Sequence, residues 1–140
     1  MGLFDGMFGS KYAPLDGQSE AAQWVDRNGA LAEFVAKAND RVEVIPGDGS
    51  LYAYVGKPPK AFGIVWFDGD ERLDVRSAME RSMMTRDAAA GLVGKLGAIY
   101  EANSDAERFE HRLNGHKVVV TPSETMYRAV KEAIDQATDA

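Results

Sequence analysis

Two runs of alternating side chains, "AERFEHRL" and "HKVVVT", meet at Asn114-Gly115. Asn-Gly is the dipeptide that a two-residue type I′ turn selects, because both central residues take a positive φ. No other stretch of the chain is so tightly restricted. It predicts a hairpin in which Leu113 faces His116. That register places Phe109, Leu113, Val118 and Val120 on one face and Arg108, Glu110, Arg112 and Lys117 on the other.

Three further strands precede it. "RVEVI" alternates, "PGDGS" turns, and "LYAYV" returns; "GKPPK" then leads into "AFGIVWF". In that third run Phe62, Ile64 and Trp66 point one way and Val65 and Phe67 the other. Two apolar faces predict a strand inside the sheet, covered on both sides. Gly63 within it suggests a bulge or a close neighbour. "DGDERLD" reads as the end of that strand, its acids favouring the amino terminus of the helix that follows.

Helical periodicity marks the rest. From Ser19 to about Asn39, Trp24, Leu31, Val35 and Ala38 share one side with Phe34 beside them, and Asn28-Gly29 bends or splits the segment. A short helix is expected from Asp74 to Met83, with Val75, Met79 and Met83 inward. Thr85 caps the next helix, which runs to about Ala102. In "TPSE", Thr121 reads as the N-cap, Pro122 as the first helical residue and Glu124 as the closing half of a capping box. Met126, Val130, Ala133, Ile134 and Ala137 form the buried stripe of the last helix. The expected order is α-β-β-β-α-α-β-β-α, an α+β domain over residues 17–140 with a mainly antiparallel sheet of about five strands.

Residues 1–16, "MGLFDGMFGSKYAPLD", read as a flexible or strap-like apolar segment. Leu3, Phe4, Met7 and Phe8 also give it the character of a docking segment. The start approaches a myristoylation pattern, but Gly6 stands where a hydroxyl residue is required.

Composition narrows the chemistry. A chain of 140 residues without cysteine needs no disulfide and has no thiol nucleophile, which fits a reducing cytoplasm. A net charge of −6 disfavours nucleic acid and anionic membranes as partners. The longest apolar run, seven residues in "AFGIVWF", is far short of a membrane span. No Walker loop, dinucleotide fingerprint, nucleophile elbow or calcium loop is present. With only two histidines, a small enzyme or a metal or ligand site would centre on His111 and His116, diagonal neighbours on one face of the hairpin, with Glu107 nearby. The reading leans to a non-enzymatic protein without cofactor.

The element order, small size and acidic charge resemble the fold of type III secretion chaperones. That resemblance implies a non-enzymatic homodimer that holds an unfolded segment of a client protein.

One segment points to where a partner sits. "AAAGLVGKLGAIY" places Gly91, Gly94 and Gly97 in a helix, each costing about 1 kcal/mol relative to alanine. On a helical wheel Ala89, Leu92, Val93, Leu96, Ile99 and Tyr100 form a core face. Ala90, Gly91, Gly94, Gly97 and Ala98 form a smooth strip opposite, suited to close approach by another chain segment or a second copy. With Met79, Met83 and Met84 they make the expected interaction surface.

Overall fold

The structure, a computed structural model, describes residues 12–138. In chain order its elements are α1 (Glu20–Asp26), α2 (Gly29–Lys37), β1 (Val42–Pro46), β2 (Ser50–Lys57), β3 (Ala61–Asp68), β4 (Glu71–Asp74), α3 (Val75–Glu80), α4 (Arg86–Ala102), β5 (Phe109–Leu113), β6 (His116–Val120) and α5 (Glu124–Thr138). The strands form one mixed sheet in the spatial order β4-β3-β2-β1-β6-β5. β1 to β4 make an antiparallel meander, β5 and β6 make the hairpin, and a parallel pairing of β1 with β6 joins the two.

The hairpin follows its turn chemistry. Leu113 pairs with His116, and Asn114 and Gly115 have φ of 52° and 84°, the two positive values a type I′ turn requires. β3 is an interior strand with both faces buried. Ile64 and Trp66 pack under α3, α4 and α5 with Leu92, Leu96, Met126 and Val130. Val65 and Phe67 pack against α1 and α2 with Val25, Leu31 and Val35. The sheet is thus the middle of three layers.

Several boundaries differ from the sequence expectation. The segment after Ser19 is two helices. Asn28 ends the first and caps the second by accepting from the Leu31 amide (2.9 Å), while its side-chain nitrogen donates to the Gly69 carbonyl (2.9 Å). "DGDERLD" contains a sixth strand. The chain reverses at Gly69 (φ 60°), and β4 pairs back along β3 with only Leu73 buried. Asp74 then caps α3 in a capping box with Ser77. α3 stops at Glu80 instead of Met83, and Ser82 turns the chain with φ 59°. At the last helix, Ser123 accepts from the Met126 amide (3.1 Å), whereas Thr121 Oγ1 donates to Glu43 Oε2 (2.8 Å). Thr121 is therefore part of a buried polar cluster and not the N-cap.

That cluster sits where β1 meets β6. Glu43 is fully buried, and its two oxygens also receive Tyr100 Oη (2.7 Å), the Arg41 guanidinium (2.9 Å) and Arg108 Nε (2.9 Å). Arg108 further donates to the carbonyls of Asn103, Ser104 and Ala106, which fixes the loop between α4 and β5. On the outer edge of β5, Glu110 exchanges backbone hydrogen bonds with Ala13 and Leu15, so the end of the amino-terminal strap covers that edge. The apolar residues Leu3, Phe4, Met7 and Phe8 lie outside the described residues.

Gly47 lies under the Tyr127 ring, whose hydroxyl shares a hydrogen bond with Ser50 Oγ; a Cβ at position 47 would overlap that ring. Gly47→Ala is therefore expected to lower stability by about 1–3 kcal/mol in urea unfolding. An unchanged midpoint would place Tyr127 elsewhere.

Candidate interaction surface

β3 is eight residues long, and β2 pairs with all of it. β4 covers only Val65 to Asp68. The other half, Ala61 to Ile64, has no strand on its outer edge, because the chain leaves the row at Asp74 to begin α3. Alternate backbone N–H and C=O groups of that half point outward without a ladder, the condition under which a sheet accepts another strand. Gly63 is exposed, and a Cβ added there meets nothing within 4 Å.

Apolar surface surrounds the open half. A groove of about 490 Å³ runs along it, with Phe34, Phe62, Val75 and Val93 on its walls and the charged Asp40, Asp74 and Arg76 among them. Among the described residues, the large hydrophobic side chains more than a third exposed are Val93 (43%) and Met79 (36%). Val93 projects from α4 into the groove; Met79 lies one turn beyond Val75 on α3. Exposed apolar groups on both helices beside an unpaired strand edge form one continuous feature.

The surface expected from the sequence is partly here. Ala90 and Gly97 stand three and four positions from Val93 and share its flank of α4, with Gly94 about 100° further round the helix. Gly97 is buried against the turn between β2 and β3, its would-be Cβ at 3.4 Å from the Pro59 carbonyl oxygen. Ala90, Gly91, Gly94 and Ala98 are exposed, and an added Cβ at Gly91 or Gly94 meets nothing. Three assignments are corrected, the first being Met79, which was expected inward and is 36% exposed. Val93 is exposed instead of belonging to the core face, since α3 is too short to reach across it. Met84 is buried in the core at 5% exposure, because the turn at Ser82 swings it inward; Met83 is half-buried. The open edge itself was missed. Its only sequence signal was Gly63 in an otherwise apolar strand.

The hairpin histidines take a different part. His111 lies 2.7 Å from Asp26 Oδ1 on α1, and His116 is exposed at the turn. Among the described residues no group of three His, Asp or Glu side chains is placed to hold a metal ion, so His111, His116 and Glu107 do not form the shared site considered above. A larger cleft, about 860 Å³, lies between α1 and α5 at the ends of β1 and β6. Its charged groups Arg128 and Lys131 are paired within α5 to Glu124 and Asp135. Among the described residues no helix is long and apolar enough to cross a membrane.

No family model matches the chain, and neither a curated protein nor a solved structure matches it.

With open space at their Cβ positions, Gly91→Ala and Gly94→Ala are expected each to raise the unfolding free energy by about 1 kcal/mol, measured by chemical denaturation at low protein concentration. No gain at Gly91 and Gly94 would mean that α4 is not helical there.

Proposed function

We propose that this chain is a protein-interaction module that acts by contact and not by catalysis, and that its partner is a second copy of itself bound across the open half of β3. The observation that carries this reading is the unpaired stretch Ala61 to Ile64 lying beside exposed Val93 and Met79.

A two-fold axis through the middle of that stretch sets it antiparallel to its own copy. The edge is stepped, high where β4 runs and low where it does not, and a step of this kind is complementary to itself after a half-turn. The same axis brings the two α4 flanks together on one face of the extended sheet. There the small residues Ala90 and Gly94 permit close helix approach, and Val93 meets apolar surface. The four-residue strand contact alone is too small for a stable pair, which needs roughly 1,200 Å² in total, so the helix flanks must contribute. The resemblance to type III secretion chaperones supports the same reading, since such proteins work as dimers that hold extended client segments.

Sedimentation over a wide concentration range tests it. The wild type is expected to be dimeric. Val93→Glu sets like charges against each other near the axis and is expected to weaken the dimer at least tenfold (roughly, from the cost of like-charge contacts), with an unchanged circular dichroism spectrum. Gly94→Leu, which fills the flank, acts in the same direction. A wild type that stays monomeric, or a dimer indifferent to both changes, overturns the reading. A monomer that takes up an extended peptide would assign the edge to a client.

A further inference from the structure

The second feature lies at the start of β1 and the end of β2, where Lys57 pairs with Ala61. On the sheet face that carries α3, α4 and α5, neither β5 nor β6 contributes a residue to the apolar core. A cleft of about 610 Å³ opens there, walled by Tyr12 and Tyr100 and reached by Arg41, Lys57, Lys117 and one carboxylate, Glu110. Its size is that of an ordinary small-molecule site.

Its charge is opposite to that of the chain as a whole, which carries a net −6. Behind the wall, the guanidiniums of Arg41 and Arg108 share the single carboxylate of Glu43, both at 2.9 Å. Lys117 lies 3.2 Å from Glu110. Lys57 is exposed and makes no ion pair among the described residues. After pairing, one positive charge remains from the two arginines and one from Lys57. The first is largely withdrawn from water. The Arg108 side chain is only 7% exposed, its guanidinium lies 5.0 Å from the centre of the Tyr100 ring, and its Nη2 has no hydrogen-bond partner among the described residues. A surplus cation in a partly desolvated setting attracts an anion more strongly than the same charge at an open surface. Arg41, with its side chain 35% exposed, presents a planar donor fork of the kind that grips an oxyanion.

We propose that this cleft binds a small soluble ligand through an oxyanion group, a phosphate or a carboxylate, held by Arg41 and Lys57 between the two tyrosine walls. The cleft is built from residues other than those of the open β3 edge, with Lys57 pairing with Ala61 at the near end of that edge.

Amide NMR titration with inorganic phosphate, and separately with succinate, at ionic strength fixed with sodium chloride, tests it. The amides of Gly56, Lys57, Val118 and Val119 are expected to shift and saturate. Whichever probe saturates at the lower concentration identifies the headgroup. Lys57→Gln is expected to weaken that binding by about threefold and Lys57→Glu by about tenfold, in line with one rim charge. Lys131→Gln, on α5 beside the Pro46 end of β1, leaves it unchanged. Both variants alter an exposed side chain, and unshifted amides elsewhere show that the fold is kept. Shifts that do not saturate with either probe, that spread over the whole surface, or that are indifferent to Lys57→Glu overturn the proposal.

Discussion

The parallel contact between β1 and β6 holds the two halves of the sheet together, and Glu43 is the group on which that contact depends. A charge taken wholly out of water is tolerated only when its lone pairs are filled and opposite charge lies close. Here two arginines, a tyrosine and a threonine fill them, and each comes from a different place in the chain: the entry to β1, the end of α4, the loop before β5 and the exit of β6. One carboxylate thereby sets where α4 ends, how β5 is approached and why α5 begins three residues after Thr121. Burial, and then the proximity of Glu43, raise the Tyr100 hydroxyl above the ordinary tyrosine range, so it stays a donor to the carboxylate. The same arrangement leaves positive charge in excess beside the cleft of Tyr12 and Tyr100.

The two edges of the sheet are managed differently. On β5, the backbone of Ala13 to Leu15 pairs with Glu110 and covers the first part of the strand. At the other edge β4 covers half of β3 and stops. Unprotected edges invite association, and proteins that avoid it use charge, proline, bulges or cover. Ala61 to Ile64 carries no charged residue and sits beside exposed Val93. That contrast within one sheet is what favours a binding role for the open half over simple neglect.

Much of this fold could be read from local signals, because local chemistry decided it. Asn114-Gly115 dictated its turn and hence its register. The two apolar faces of "AFGIVWF" announced an interior strand, and the Met126, Val130, Ala133 and Ile134 stripe is buried as its spacing requires. What escaped was decided at long range. β4 has a single buried residue in a charged run, which reads as a loop until β3 is there to pair with it. In "RVEVI", Glu43 alternates as a solvent-facing residue would, and nothing nearby reveals that Arg108, 65 positions on, will enclose it. Thr121 fits a capping box by sequence but is claimed by Glu43. The glycines of α4 do not share one surface: Gly97 is buried against the β2–β3 turn, while Gly91 and Gly94 are exposed.

The central claim is that the Ala61–Ile64 half of β3 is completed by a second chain. Amide hydrogen exchange across β3, followed as protein concentration rises, measures this most directly. Outward-pointing amides in Ala61–Ile64 should exchange quickly in dilute solution and become protected as the dimer forms, while those of Val65–Asp68 stay protected throughout. Exchange in Ala61–Ile64 that is equally fast at every concentration would contradict the account.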